Sequence, residues 1–284
     1  MVPKKIFDAF KAGSRTYFYS SLFFPRRLRE DVFRLYAFVR TADNYVDDIP
    51  QQPNEFHAFR ERYRAALEGA TTDDVIINSF AGLLRRRGFD PAWITAFLDS
   101  MEMDLDTRRY RTLDDLLEYI HGSAEVIGLM MARIMHLPDK ALPAAQMLGR
   151  AMQYINFIRD IHEDLQFGRI YFPLEILQKH GLSTLEEQET RDNPEGYKAF
   201  VREEIDRYCK WQAAAEKGFR FIRKRYLIPV KTASEMYKWT AHQIEQDPFI
   251  VYRKKVKPLV PYIVSTVLRN VLTKPLKTAS CSPG

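Results

Sequence analysis

Cysteine is almost missing: Cys209 and Cys281 are the only two in 284 residues, and they lie far apart with no His or Cys partner at ligand spacing. That spacing suggests neither a zinc site nor a disulfide framework, and it fits a reducing, cytoplasmic compartment. The N-terminal stretch MVPKKIFDAFKAGSR has no apolar h-region, so a secretory signal is not expected. Near the C-terminus the apolar stretch is interrupted by Arg269 and Asn270 and falls short of the roughly 20 residues a membrane-spanning helix needs. Alternating strand-like runs are scarce, and no G-x-G-x-x-G follows a strand to hold a dinucleotide in the usual way. Acids are missing from residues 251–284, which hold Arg253, Lys254, Lys255, Lys257, Arg269, Lys274 and Lys277; the rest of the chain is then nearly neutral, with 36 basic against 37 acidic residues. A basic excess confined to a tail is not the spread footprint of a nucleic-acid binder, and no nucleic-acid partner is expected.

What is present is helical almost throughout. Hydrophobic residues make up 46% of the chain, ample for a buried core, and they recur at three and four from EDVFRLYAFVRTADNYVDD to ASEMYKWTAHQIEQ. Breaks fall where Pro, Gly and Asp cluster, at DIPQQPNE, RRRGFDPAW, HLPDKALP, FGRIYFPLE and RDNPEG. None resembles a long linker. The expectation is an all-α protein with one domain over residues 1–284, of which 251–284 is a basic amphipathic C-terminal segment. Within that segment Val260, Ile263, Val264, Val267, Leu268 and Val271 form one stripe, bracketed by lysines. A last helix packed on the core is the favoured reading of this stripe; docking on a membrane surface, weakened by salt, is the other.

Two acidic helices carry the chemistry. In YINFIRDIHEDL the four-residue spacing stacks Asn156, Asp160 and Asp164 on one ridge, and in RLYAFVRTADNYVDD it stacks Asp43 on Asp47 with Arg40 one turn earlier. One such pair is more often a solvated face than a site. Two pairs, each embedded in aromatic and aliphatic residues, would leave four half-buried aspartates without obvious neutralisation. Facing one another they would offer oxygen ligands to a hard cation such as Mg²⁺, which is commonly held by one or two carboxylates together with substrate phosphates. Arg40, Arg159 and Arg169 could hold diphosphate oxygens in bidentate fashion, beside apolar residues suited to a hydrocarbon.

These residues reach a resemblance. From SRTYFYSSLFFP to YRKKVKP the chain resembles squalene and phytoene synthases, the head-to-head prenyl transferases, with YAFVRTADNYVDD, MDLDTRRYRTLDDLLEYIHGSAEVIG and YINFIRDIHEDLQFGRIYFP similar to their first, middle and last motifs in order and spacing. The resemblance implies an isoprenoid-synthase helical bundle around a central cavity. It also implies an enzyme that condenses two identical prenyl diphosphates through a cyclopropyl diphosphate with two or three Mg²⁺ ions, or Mn²⁺ in their place. It assigns metal to Asp43, Asp47, Asp160 and Asp164, with Asn156 orienting the second pair. Ser14, Tyr36, Arg40, Gln153 and Arg159 match positions that contact or line the diphosphate site, and Tyr119 and Tyr171 match tyrosines near the reacting carbons. A packing role for either tyrosine weighs about equally with a chemical one.

The sequence departs from the family pattern at Asn44, at His121 and at Glu125, where a glycine is common. His121 is expected to be a packed or hydrogen-bonded core residue; Glu125 points to the cavity or pairs with an arginine. GRIYFP is similar to the carotenoid branch, so the expected product is phytoene from two geranylgeranyl diphosphates with no NADPH, and the alternative is squalene or dehydrosqualene from farnesyl diphosphate. Terpene cyclases and chain-elongating transferases share the metal logic but carry motif forms not found here. A non-enzymatic scaffold with solvated acidic faces stays the competing reading. Chain length and oligomeric state are not readable from the sequence.

Overall fold

Helix ends follow local chemistry. Pro53, Pro91 and Pro194 each sit in the first turn of a helix, where the missing N–H is no loss. Asp74 accepts from the N–H groups of Ile76 and Ile77, and Gly88 closes the same helix in the left-handed region at φ 61°. Thr112 and Asp115 form a reciprocal capping box.

The protein is described by a computed structural model over residues 2–13 and 21–272. Its helices are α1 (Lys4–Gly13), α2 (Arg26–Asp47), α3 (Pro53–Leu67), α4 (Val75–Arg87), α5 (Pro91–Asp106), α6 (Leu113–Ile120), α7 (Val126–Ile134), α8 (Leu142–Arg159), α9 (Ile161–Gln166), α10 (Leu174–Lys179), α11 (Glu187–Asp192), α12 (Pro194–Glu216), α13 (Lys224–Gln246), α14 (Ile250–Arg253) and α15 (Val260–Leu272). A π-turn, His121–Glu125, joins α6 to α7. No strand occurs among the described residues; one isolated parallel bridge pairs Arg109 with Ile170. The all-α class expected from periodicity is the class observed.

Two apolar clusters hold the helices. The first gathers α2–α5 and α7 around Phe38, whose ring stacks on Phe80 at 3.9 Å and meets Phe59 at 5.1 Å. The second gathers α6, α8, α10, α12 and α13 around Tyr154, Tyr197 and Phe200, all fully buried. Helix α8 is the central member, packed against α7, α12 and α13. Between the clusters lies a cavity of about 800 Å³ lined by residues of both, toward the upper end of ordinary ligand pockets. Glycine lets its walls close: a Cβ on Gly149 would lie 2.3 Å from the Ala124 carbonyl oxygen, and one on Gly128 2.2 Å from that of Ala145.

Two expectations change here. The apolar stripe of the last helix splits into two faces. Ile263, Val267 and, between them, Thr266 are buried, while Val260, Val264, Leu268 and Val271 are exposed. Cys209 is disulfide-bonded, where the sequence suggested no disulfide framework; Cys281 lies outside the described residues.

Candidate active site

The last turns of α2 bring Asp43 and Asp47 to one end of the cavity, and the end of α8 brings Asn156, Arg159 and Asp160 to the same end. The expected single ridge is interrupted: Asp160, at φ −99° and ψ 13°, separates α8 from α9. The i,i+4 connection survives the break. Asp160 donates its N–H to the Asn156 carbonyl, and Asp164 donates to that of Asp160, both at 2.8 Å.

Arg169 ties the two motifs together. Its backbone N–H donates to the Asp164 carbonyl at 2.9 Å, while its guanidinium donates to Asp47 Oδ1 at 2.7 Å and to the carbonyls of Val46 and Asp104 at 2.7 and 3.0 Å. It is only 4% exposed. The sequence offered Arg169 as a diphosphate clamp; the structure makes it a strut whose two terminal amino groups donate to the protein, while its buried Nε, 3.9 Å from Asp104 Oδ1, makes no hydrogen bond. The bridge between Arg109 and Ile170 explains the placement, because residues two apart on an extended segment share a face, and Arg169 and Tyr171 both turn toward Asp104.

Asp104, at the end of α5, is the centre that sequence reasoning missed. Tyr119 donates its hydroxyl to Asp104 Oδ2 at 2.7 Å, and Tyr171 to Oδ1 at 3.0 Å. The rings of the two tyrosines lie 5.3 Å apart, and Phe157 stacks on Tyr171 at 4.2 Å, so three aromatic faces line one wall. Burial, then the Asp104 charge, pushes both phenols far above the usual tyrosine range. Both remain protonated donors.

The carboxylates at this end are crowded. Burial and then repulsion from Asp47, against the opposing Arg40 guanidinium, push Asp43 up to about 7. Burial raises Asp104 to about 6 despite Arg169, and burial followed by the Asp160 charge lifts Asp164 well above the carboxylate range. Arg40 pairs with Asp43, and Arg159 holds Asp160 bidentately at 2.8 and 2.5 Å. Lys255 reaches Asp160 at 3.5 Å and pairs with Glu163. Beside it, burial and the charges of Lys255 and Arg159 lower the Lys257 ammonium, a cation in a place that favours an anion. Both lysines line the cavity. They stood in the YRKKVKP stretch, where the sequence showed only a basic run.

These residues suit a divalent cation in a particular way. No three His, Cys, Asp or Glu residues among those described converge to hold a metal alone, so the cage expected from the sequence is not preassembled. The buried Asn156 Oδ1 nevertheless has no hydrogen-bond partner, and it stands beside carboxylates raised by crowding. A cation completed by phosphate oxygens and water matches that donor set.

Of the residues singled out from sequence, Tyr36, Arg40, Asp43, Asp47, Tyr119, Gln153, Asn156, Arg159, Asp160, Asp164 and Tyr171 all line the one cavity, and Ser14 lies outside the described residues. His121 is not in the core: its side chain is 46% exposed, and its ring bonds Glu125 at 3.0 Å. Glu125 turns away from the cavity to Arg150 and Gln146.

Comparison with known proteins comes to the same place. Residues 10–261 match the profile of the family described as squalene/phytoene synthase. The chain is 30% identical over 262 residues to the 15-cis-phytoene synthase of Paracoccus sp. (strain N81106 / MBIC 01143), covering 88% of this chain and 84% of that protein. It is 31% identical over 238 residues to the phytoene synthase of Pseudescherichia vulneris, covering 80% and 77%. Among solved structures, a dehydrosqualene synthase in complex with ligand superposes with a TM-score of 0.85 at 22% identity, covering 94% of this chain and 95% of that one. The squalene synthase HpnC of Alicyclobacillus acidocaldarius gives 0.77 at 22% identity, over 86% and 93%. At that identity the likeness is one of fold.

Proposed function

Because the chain belongs to the squalene/phytoene synthase family, we propose that it condenses two molecules of geranylgeranyl diphosphate head to head into phytoene. The reaction passes through a cyclopropyl diphosphate and releases diphosphate. The observation that carries this reading is one cavity of about 800 Å³ with carboxylates and cations at one end and the aromatic wall of Tyr119, Phe157 and Tyr171 inside. The curated relatives favour phytoene over the second reading, squalene or dehydrosqualene from farnesyl diphosphate.

Asp43, Asp47, Asp160 and Asp164 would hold Mg²⁺, or Mn²⁺ in its place, and the cations would neutralise the departing diphosphate. Arg40 and Arg159 exchange their aspartate partners for diphosphate oxygens, and Lys255 and Lys257 add charge at the same rim. Gln153, Tyr36 and Asn156 position the polar head. The apolar walls exclude water, which would otherwise capture the carbocation as an alcohol. Asp104 is a positioning residue: by accepting both hydroxyls it aims the ring faces of Tyr119 and Tyr171 at the reacting carbons. The last cation loses a proton to Tyr171 Oη as Tyr171 releases its own to Asp104 Oδ1, so no reductant is consumed.

A hydrocarbon product also favours a working position beside a membrane, as a peripheral protein; no helix among the described residues is long and apolar enough to cross one. Incubation of the purified protein with Mg²⁺ and geranylgeranyl or farnesyl diphosphate, with and without NADPH, tests the reading. Phytoene and released diphosphate without NADPH support it. Squalene formed only when NADPH is present would overturn the product assignment.

A further inference from the structure

Helix α15 runs antiparallel to α13. Asn270 donates to Thr232 Oγ1 at 3.2 Å, Arg269 pairs with Glu235 at 3.1 Å, and the rings of Tyr262 and Trp239 lie 5.7 Å apart. Contacts of that kind account for its inner face. Its outer face is apolar as well: Val260 (43% exposed), Val264 (49%), Leu268 (58%) and Val271 (44%) follow one another at four, four and three residues, with Leu259 and Leu272 more exposed still at the two ends. A helix packed by one side onto a core ordinarily turns polar residues outward. This one presents a second apolar ridge roughly 18 Å long at 1.5 Å per residue.

Apart from Glu235, which Arg269 and Lys231 pair with at 3.1 and 3.4 Å, the charge around the ridge has one sign. Neither residues 217–234 nor 248–272 contain an Asp or Glu. At the start of α13, Arg223, Lys224 and Arg225 are exposed, and none pairs with an acid among the described residues. The antiparallel alignment puts this cluster just beyond the Leu272 end of the ridge, on the order of 10 Å along the helix axis from the level of Thr232. Under the same stretch, Phe219, Ile222, Pro229 and Val230 wall the cavity.

We propose that the outer ridge of α15 and the Arg223–Arg225 cluster form one face that lies flat on an anionic lipid surface, so that the hydrocarbon product passes from the apolar wall of the cavity into the bilayer. The exit rests on the proposed function; the docking does not. Apolar side chains enter the acyl boundary while neighbouring guanidinium and ammonium groups meet lipid phosphates, the arrangement of an interfacial helix and not of a spanning one. A second copy of the chain could cover the ridge, but it would bring the same unpaired bases to the contact, and like charges oppose that pairing.

Vesicle sedimentation without substrate tests the docking by itself. The protein is expected to sediment with phosphatidylglycerol-containing vesicles at low salt, weakly or not at all with phosphatidylcholine alone, and less as salt rises. Val264→Glu with Leu268→Glu should abolish binding. Arg223→Ala, Lys224→Ala and Arg225→Ala should each weaken it about fivefold. All five positions are on the surface and outside the catalytic machinery, so melting temperature and diphosphate release from detergent-dispersed substrate should stay as in the parent protein. Absence of binding to anionic vesicles at low salt, or binding unaffected by both sets of substitutions, overturns the proposal. So does a parent protein that elutes as a dimer and becomes monomeric on Leu268→Glu, since the ridge would then be an interface between copies.

Discussion

Buried carboxylates behave differently in two regions of this protein. On the outer flank of α2, Asp31 accepts from Arg34 at 3.1 Å, from Arg86 at 3.1 Å and from Arg87 at 2.6 Å, and behind the cavity wall Glu125 is held by Arg150, Gln146 and His121. Burial raises Glu125, but the hydrogen bonds from Gln146, His121 and Arg150 outweigh it and hold the carboxyl below its usual value. At the polar end of the cavity the balance is reversed: Asp43, Asp104 and Asp164 are all raised, although Arg40, Arg159 and Arg169 stand nearby. The difference is supply. Outside the cavity the fold provides as many donors as the carboxylates can use; at its mouth it gathers more negative charge than its own cations neutralise. The first arrangement satisfies each charge within the fold, and the second leaves carboxylates whose charge the protein itself does not offset, the pattern by which a candidate site is recognised.

The sharpest way to break this comparison is the same substitution in both regions. Asp43→Asn and Asp160→Asn are expected to lower diphosphate release by about a hundredfold or more with unchanged helicity, because each removes charge stabilisation that matters when diphosphate departs. Near-normal turnover by both variants would return the mouth to the status of a solvated acidic face. Asp104→Asn should come next, at about tenfold to a hundredfold. The two phenols donate to different oxygens of Asp104, and an amide replaces one of these with an NH2 group that cannot accept, so Tyr119 or Tyr171 loses its aim, and the fraction of turnovers ending as the cyclopropyl diphosphate should rise while substrate KM changes little. Unchanged product proportions would make Asp104 merely structural.

Asp31→Asn is the converse case. It is expected to cost about 1–2 kcal/mol of folding stability, read from a denaturation midpoint, by leaving the partly exposed guanidinium groups of Arg34, Arg86 and Arg87 short of their acid, while turnover per folded molecule is retained. The smallest effect is the pH response of the protein without divalent cations. Asp43 at about 7 and Asp104 at about 6 bind protons more tightly folded than unfolded. Their contribution to stability is therefore full below about pH 4 and is lost as pH rises through 7. A melting temperature that declines over that window, flattens in Asp43→Asn and recovers with Mg²⁺ and inorganic diphosphate is the expected result. A flat profile in the parent protein would mean the mouth is not overcrowded.

Much of the carboxylate-bearing side of the cavity was legible because helical spacing is local. Asp43 and Asp47, or Asp160 and Asp164, share a side of their segments by backbone geometry that does not depend on the rest of the chain, and even the break at Asp160 preserves the hydrogen bonds from Asn156 to Asp164. The aromatic side was less legible. Asp104 lay within the quoted MDLDTRRY stretch with nothing to set it apart from Asp106, since its meaning comes from Tyr171, 67 residues away.

The sequence by itself determined that this chain is helical, where five of the breaks between helices fall, and that two acidic segments repeat one spacing, because periodicity and breakers act over a few residues. Tertiary structure alone decided that Arg169 spans 122 residues to Asp47 as a strut instead of a clamp, that Glu125 turns from the cavity to Arg150, and that α15 has two apolar faces of which α13 covers one. Each of these depends on which surfaces meet when distant segments pack, and a side chain's partner is chosen by that meeting, not by its neighbours in the chain.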